Sequence, residues 1–228
     1  MAGVLYVVAT PIGNLQDITL RAVETLKTVD LIAAEDTRHT KKLLQHYSIE
    51  TPLVSFHQHS GAGRIEQLVR CLQQGESIAL VTDAGTPGIS DPGGTLVEAA
   101  HRAGVRVVPI PGASAVTAVL SVAGLPAHRF RFEGFPPRKA GARRRFFESL
   151  RDADAPVVFF ESPHRLLTTL QAAHEALGEC TVVIGRELTK QFEEVFRGTL
   201  SEAIDHWHAT PPRGEFVIVM ARGDSQRP

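Results

Sequence analysis

The feature that most constrains the fold is a regular alternation of short apolar runs with segments of helical periodicity. Runs such as LYVVA, LIAA and IALV show no alternation between apolar and polar residues. Strands of this kind are buried on both faces, which is typical of a mainly parallel sheet covered by helices. In the first half we predict strands near residues 5–9, 31–34, 53–56, 78–81 and 105–110, and helices near residues 19–28, 40–47, 64–74 and 95–103.

A break at Pro109, Pro111 and Gly112 separates this series from a second one. The second series predicts helices near residues 114–122, 142–150, 165–176 and 201–208, and strands near residues 130–133, 157–161, 182–186, 194–197 and 216–220. The segment GRELTKQFEEVFRG is too short to hold a crossover helix, so its strands are expected to be antiparallel and the second sheet mixed. We therefore expect two α/β domains, residues 1–111 and 112–228, with a ligand cleft between them.

Composition limits the cellular setting and the partners. The chain has 228 residues, 43% of them hydrophobic, and no uninterrupted run long enough to span a membrane. The N-terminus has no signal-peptide pattern, and Cys71 and Cys180 are expected to be buried free thiols, so we expect a cytoplasmic protein. The net charge is -1, yet residues 129–151 hold eight basic and two acidic residues. This excess predicts a surface that attracts a polyanion.

The stretch TDAGTPGISDPGG lies between the strand IALV and a helix, and it is longer than a turn requires. Asp91 before Pro92, Asp17, and Ser162 before Pro163 each fit the pattern of a helix N-cap. Capping does not account for the four residues Gly85, Thr86, Pro87 and Gly88. A loop of glycine and proline is rigid and exposes peptide groups, so we expect a polar small molecule to bind here, at the carboxyl ends of the strands.

Several common sites are excluded by their missing motifs. The sequence contains no G-x-G-x-x-G after a strand, no G-x-x-x-x-G-K-[ST] and no G-x-S-x-G. The spaced pairs His57/His59 and His206/His208 lack neighbouring cysteine or carboxylate ligands, so we predict no metal site.

Six segments together resemble one known family. They are ATPIGNLQDITLRAVETLKTVDLIAAEDTRHTKKLL, VTDAGTPGISDPG, PIPGASAV, GFPPRK, FFESPHRL and GRELTKQFEEVFRGTL. In this order they are similar to the ribosomal RNA small subunit methyltransferase I branch of the tetrapyrrole methylase superfamily. The resemblance implies two α/β domains with S-adenosyl-L-methionine between them, a homodimer, and methylation of the ribose 2′-hydroxyl of a cytidine in the decoding region of 16S ribosomal RNA.

The resemblance also implies a set of cofactor-binding residues from both halves of the chain. In the first half these are Ile12, Asp83, Gly85, Thr86 and Ile89, followed by Ser114 and Ala115. The second half would contribute Phe160, Leu188 and Glu215.

Candidate catalytic and RNA-binding residues lie in the second half. Glu187 and Lys190 follow a strand and are candidates for a base, or for a cation that lowers the pKa of the hydroxyl, although a surface ion pair would look the same. The segment FPPRKAGARRRF offers cations for phosphates and Phe135 for base stacking, and a solvated helix face is the alternative. The candidate RNA contacts are Arg138, Lys139, Arg143, Arg144, Arg145, His164 and Arg165.

Two other functions remain open at this point. A methyltransferase that acts on a tetrapyrrole or corrinoid would share the fold and the cofactor, but it would not need the dense arginine run. A module that binds S-adenosylmethionine and RNA without catalysing transfer would also fit the motifs.

Overall fold

A computed structural model describes residues 2–91 and 93–221 of the chain. The described residues form two compact units that divide between Ser114 and Ala115. This division lies three residues beyond the predicted domain boundary after residue 111. Within the described ranges, every helix is too short or too polar to cross a lipid bilayer.

The first unit is a five-stranded parallel sheet with the strand order β3-β2-β4-β1-β5. Its strands are β1 (Val4–Val8), β2 (Leu31–Ala34), β3 (Leu53–Ser55), β4 (Ile78–Val81) and β5 (Arg106–Ile110). Its helices are α1 (Leu20–Thr28), α2 (Thr37–His46), α3 (Ala62–Gln73) and α4 (Gly94–Arg102), with a short 3₁₀ turn at Leu15–Asp17. All nine predicted strands and helices of this half are confirmed, with ends that differ by up to three residues.

The missing polar alternation in β4 has a direct structural cause. All four of its residues are buried. Ala79 and Val81 belong to one hydrophobic core, with α1, while Ile78 and Leu80 belong to another, with α3 and α4. Because successive side chains of a strand point to opposite faces, a sheet covered by helices on both faces requires apolar residues at every position.

The second unit is a five-stranded mixed sheet with the order β6-β7-β10-β8-β9. Its strands are β6 (Arg131–Phe132), β7 (Val157–Glu161), β8 (Thr181–Arg186), β9 (Glu194–Thr199) and β10 (Phe216–Ala221). Its helices are α5 (Ala115–Val122), α6 (Ala140–Ser149), α7 (Leu166–Leu177) and α8 (Leu200–Ala209). Only the β6–β7 pair is parallel among these strands, and the predicted antiparallel hairpin is confirmed as β8–β9.

The core of the second unit lies between the sheet and α6, α7 and α8. Trp207, Phe147 and Phe159 are its largest fully buried side chains. The alternate strand residues Val183 and Val219 are buried as well, and α5 packs against β8 and β10. The second sheet is therefore also apolar on both faces.

The three predicted helix N-caps are wrong. Asp17 ends the 3₁₀ turn, and Thr19 caps α1 by accepting the Ala22 N–H at 3.1 Å. The helix after Asp91 begins only at Gly94, with Gly93 as its N-cap, and Pro92 lies outside the described residues.

The Ser162-Pro163 pair fails in the same way, because α7 begins at Leu166 after Arg165. In each case the chain turns once more before the helix starts, and residue type alone does not reveal that turn. Gly75 and Gly104 follow α3 and α4 with positive φ angles of 102° and 69°, as is typical of glycines that end a helix.

Candidate functional site

The loops that follow β1 and β4 are joined by backbone hydrogen bonds at the carboxyl edge of the first sheet. The Thr10 N–H donates to the Gly85 carbonyl at 2.9 Å, and the Gly85 N–H donates to the Thr10 carbonyl at 3.0 Å. Thr10 Oγ1 also donates to the Thr82 carbonyl at 3.0 Å. A Cβ atom on Gly85 would lie 3.5 Å from Ile12 Cγ2, so these two predicted cofactor residues are neighbours.

The loop after β5 reaches the same edge. A Cβ atom on Gly112 would lie only 3.1 Å from the Ala9 Cβ, so this close approach favours glycine. The Ala113 carbonyl oxygen lies 3.8 Å from the Cβ position of Gly85. Ser114, a predicted cofactor residue, directly follows this contact, and Ala115 begins α5 in the second unit.

The glycine-proline loop after β4 has an unusual backbone. Gly85, Gly88, Ser90 and Gly93 have φ angles of 82°, 87°, 63° and 141°. The three glycines adopt such angles without strain, whereas Ser90 does so at a cost of about 1–3 kcal/mol. A Cβ atom on Gly88 would meet nothing within 4 Å, and the apolar Ile89 is 43% exposed. Thr86 accepts the Ile89 N–H at 3.3 Å, which closes this turn.

The carboxyl groups of Glu35, Asp83 and Asp91 lie beside this loop, near the carboxyl ends of β2 and β4. Thr82 Oγ1 donates to Glu35 Oε2 at 2.6 Å, and the Asp36 N–H donates to Asp83 Oδ1 at 3.1 Å. The carboxyl of Asp91 lies close enough to Glu35, Asp83 and Thr82 for all three to affect its ionisation. Strands β2 and β4 are neighbours in the sheet, so their loops meet although 47 residues separate Asp36 from Asp83.

The cluster raises two pKa values. Burial raises the pKa of Asp91 to about 6, and the negative charges of Glu35 and Asp83 add to this, while the Thr82 hydroxyl opposes it. Burial is also the largest cause of a raised pKa at Asp83, where the Asp36 N–H acts in the opposite direction. The edge is thus rich in negative charge above about pH 6. Sequence reasoning missed Glu35 and interpreted Asp91 as a cap.

In the second unit, Glu187, Lys190 and Glu215 form one connected network where β8 ends and β10 begins. Lys190 Nζ donates to Glu187 Oε1 at 2.9 Å and to Glu215 Oε2 at 2.8 Å. Glu187 Oε1 also accepts the Glu215 N–H at 2.9 Å, and the Glu187 N–H donates to the Glu215 carbonyl at 2.9 Å. The two predicted catalytic residues and one predicted cofactor residue are therefore in direct contact.

This network fixes the charges of Glu187 and Lys190. Burial alone would raise the pKa of Glu187, but Lys190 and the Glu215 N–H outweigh it and leave that pKa lowered. Burial alone would lower the pKa of Lys190, but Glu215 and Glu187 outweigh it and leave that pKa raised. A carboxylate whose proton affinity is reduced is a poor general base. A lysine with a raised pKa remains an ammonium ion at neutral pH.

The turn that carries this network is strained. Glu187 and Thr189 have φ angles of 48° and 70° although neither is glycine. In the bend before β10, Gly214 has a φ of 84°, and a Cβ atom there would lie 2.4 Å from Glu187 Cδ. Sequence reasoning missed Gly214. Leu188, predicted to bind the cofactor, is buried and lies over Gly185 of the preceding strand, β8.

Phe160, the remaining predicted cofactor residue, lies in β7 within an aromatic cluster. Its ring centroid is 5.1 Å from that of Phe132 and 5.5 Å from that of Phe135. The predicted stacking residue Phe135 is thus adjacent to it.

The predicted RNA-binding residues divide into an exposed group and a bound group, whose side chains are partly buried and hydrogen-bonded to other residues of the protein. The exposed group is Arg138, Lys139, Arg144, Arg145 and His164. Arg144 Nε donates to Glu148 Oε1 at 2.9 Å, which leaves most of its side chain in solvent. Arg143 is partly buried and donates to the Arg138 carbonyl at 3.3 Å.

Arg165 belongs to the bound group. Its Nη2 donates to the Pro136 carbonyl at 2.6 Å and lies 3.3 Å from Oε2 of the buried Glu161. Only 20% of the side chain is exposed. Arg165 therefore holds the segment before α6 instead of facing solvent.

Comparisons with known proteins agree with this architecture. A profile of the tetrapyrrole (corrin/porphyrin) methylases matches residues 4–204. The ribosomal RNA small subunit methyltransferase I of Synechocystis sp. is 54% identical over 96% of this chain and 79% of its own length. The protein of the same name from Thermotoga maritima is 49% identical over 96% of this chain and 98% of its own length.

A crystal structure of diphthine synthase matches the fold with a TM-score of 0.75 at 18% identity, over 96% of this chain and 90% of that one. At this identity the likeness concerns the fold alone, and it confirms the predicted fold class. The sequence relatives are far closer and extend over almost the whole chain. The chain belongs to the ribosomal RNA small subunit methyltransferase I family of the tetrapyrrole methylases.

Proposed function

We propose that this protein methylates the ribose 2′-hydroxyl of a cytidine in the decoding region of 16S ribosomal RNA, with S-adenosylmethionine as the methyl donor. Among the alternatives, one observation favours an RNA substrate. The cations Arg138, Lys139, Arg144 and Arg145 are exposed on one short segment of the second unit. Phosphates of a polyanion bind such a surface, whereas a single tetrapyrrole would not require it.

The carboxyl edge of the first sheet fits the methyl donor. S-adenosylmethionine, the cofactor of this family, carries a sulfonium and an ammonium group. The carboxylates of Glu35, Asp83 and Asp91 supply complementary negative charge. Gly88 leaves open space beside the loop, and the exposed Ile89 offers apolar surface for a flat ring. A rigid loop loses little conformational entropy when it binds such a ligand.

The second unit supplies the group that acts on the hydroxyl. An ammonium has three N–H donors, and among the described residues Lys190 uses two of them, for Glu187 and Glu215. In the proposed reaction the third N–H donates to the ribose 2′-oxygen. As this oxygen forms its bond to the methyl carbon, the bond from that carbon to sulfur breaks, and the sulfur leaves as a neutral thioether. The hydroxyl loses its proton to water, and the positive charge of Lys190 stabilises the negative charge that develops on the oxygen.

Glu187 acts differently from Lys190 in this proposal. Its Oε1 accepts from both Lys190 Nζ and the Glu215 N–H, so it orients the ammonium and does not remove a proton itself. Methyl bound to sulfur is already reactive, and orientation of two bound reactants supplies up to roughly 7–11 kcal/mol of the barrier reduction. The contribution asked of Lys190 is about a hundredfold in rate.

The predicted homodimer belongs to the same proposal. Sedimentation equilibrium tests it directly, since a particle with the mass of one chain at micromolar concentration would contradict it.

The experiment that tests the function compares three acceptors. Purified protein is incubated with S-adenosylmethionine labelled in its methyl group and with small ribosomal subunits, naked 16S ribosomal RNA or a porphyrin. We expect label in RNA and none in the porphyrin. Transfer only to the porphyrin would support the tetrapyrrole alternative, and binding of RNA and cofactor without transfer would support a non-catalytic module. The double variant R144A/R145A should reduce RNA methylation without changing cofactor affinity.

A further inference from the structure

A rigid segment between β6 and α6 holds an aromatic ring in solvent. We call residues 134–139, with the sequence GFPPRK, the platform segment. Its Phe135 is 55% exposed, although a ring of this size is usually buried. The exposed cations Arg138 and Lys139 follow within four residues.

Several peptide carbonyls of the platform segment accept hydrogen bonds from outside it. The Gly134 carbonyl accepts the Phe160 N–H at 2.7 Å, and Gly134 has a left-handed φ of 64°. Arg165 Nη2 donates to the Pro136 carbonyl at 2.6 Å and to the Pro137 carbonyl at 3.2 Å. Two consecutive prolines restrict the backbone further. Such bracing exceeds what a simple connection between a strand and a helix requires.

The position of Arg165 is fixed by an ion pair with Glu161. Its carboxylate partner Glu161 is fully buried, and Thr169 Oγ1 and the Ser162 N–H donate to that carboxylate at 2.6 Å and 2.8 Å. The Arg165 Nε is buried and has no hydrogen-bond partner among the described residues. Arg165 is therefore held by the Glu161 carboxylate on one side and by the carbonyls of the platform segment on the other.

The chemistry of the platform segment matches one kind of partner. The Phe135 ring is supported by Phe160, at 5.5 Å between centroids, and this leaves more than half of the side chain open. Every nucleobase has a π-face that can stack on an aromatic ring, and its phosphates bind neighbouring cations. Bases within a duplex have no free face. An exposed ring next to cations therefore selects an unpaired nucleotide.

We propose that Phe135 stacks on an unpaired base of the RNA substrate while Arg138 and Lys139 bind its phosphates. Arg165 is a positioning residue that holds the ring in place and makes no phosphate contact. This inference rests on the proposed function and adds that the enzyme recognises its RNA as a single strand.

The test measures affinity for a short oligoribonucleotide without self-complementarity and for the same strand annealed to its complement. We expect Phe135→Ala to weaken binding of the single strand about 5- to 100-fold, and Phe135→Trp to restore it. Phe192→Ala is the matched control, because Phe192 is 67% exposed in the second unit but lies in the β8–β9 turn. Its affinity should equal that of the wild type.

Salt dependence separates stacking from charge. Phe135→Ala and Arg165→Gln should weaken binding without changing the slope of log K against log salt. Arg138→Ala should reduce the magnitude of that slope by about one. A slope reduced by about one for Arg165→Gln, which removes the charge, would show a phosphate contact and contradict the positioning role of Arg165.

The outcomes are distinct for the inference and for the proposed function. Unchanged affinity of Phe135→Ala, or an equal loss of affinity for the duplex, would overturn the stacking role even if methylation is normal. If the wild type neither binds the single strand nor methylates ribosomal RNA, the proposed function fails instead. Circular dichroism should show that Phe135→Ala is folded, because more than half of the Phe135 side chain is exposed.

Discussion

Replacing Asp91 with asparagine should stabilise the protein at neutral pH. Burial and the charges of Glu35 and Asp83 raise the pKa of Asp91 from 3.8 to about 6. The folded protein therefore keeps a proton that the unfolded chain has already released between about pH 4 and pH 6. The free energy of unfolding falls as the pH rises through this window. Above about pH 6 the carboxyl is ionised in the folded state, which is then destabilised by the burial and repulsion of this charge. Asparagine resembles the protonated form and has no such cost.

The magnitude follows from the size of the shift. A difference of about two pKa units corresponds to about 3 kcal/mol, since one unit is about 1.4 kcal/mol. Asp91 is only half-buried, and solvent screens part of its repulsion by Glu35 and Asp83, so we expect about 1–2 kcal/mol. The stabilisation should be present at about pH 8, decline below about pH 6 and vanish near pH 4.

Urea titrations followed by circular dichroism at several pH values measure this difference. Asp36→Asn is the control with the opposite sign, because Arg38 holds the pKa of Asp36 far below its usual range. That variant should be less stable than the wild type at neutral pH, and the gap should close in acid. A constant difference for Asp91→Asn between about pH 4 and pH 8, or a loss of stability at pH 8, would refute the argument from the carboxyl cluster.

Further predictions concern the second unit. Lys190→Ala should lower kcat about a hundredfold or more with little change in the KM for S-adenosylmethionine. Glu187→Gln should lower kcat less and should leave the shape of the pH–rate profile unchanged. If this variant lost the fall in rate at low pH that the wild type shows, Glu187 would be the general base. Gly214→Ala should destabilise the protein by about 2 kcal/mol or more, because its Cβ would meet Glu187 at 2.4 Å and its φ is 84°. Gly178→Ala is the control, since its φ of 73° is similar but no atom lies within 4 Å, and equal losses of unfolding free energy for the two would contradict a clash.

The strands and helices could be predicted because burial on both faces leaves a local pattern. In β4, for example, the same four apolar residues that cover two cores also distinguish a parallel strand from a half-exposed one. Helix starts were less predictable. Asp17 and Thr19 are both good capping residues two positions apart, and only the 3₁₀ turn at Leu15–Asp17 decides between them.

The candidate sites could be predicted only in part, because they depend on contacts between distant residues. Gly85 and Thr86 are proposed as site residues because of the excess of glycine and proline within one loop. The role of Glu35 depends on the adjacency of β2 and β4, which are not consecutive strands. The sequence around Arg165 is typical of a surface cation. Its side chain instead donates to the carbonyls of Pro136 and Pro137, which lie 29 and 28 residues away in the sequence.

The position of the transferred methyl group tests the central claim most directly. Small-subunit RNA labelled by the protein is hydrolysed with alkali, which cleaves RNA only where the 2′-hydroxyl is free. We expect the label in an alkali-stable dinucleotide that contains 2′-O-methylcytidine. Label recovered in mononucleotides, as expected for a methylated base, or in no RNA fragment at all, would contradict it.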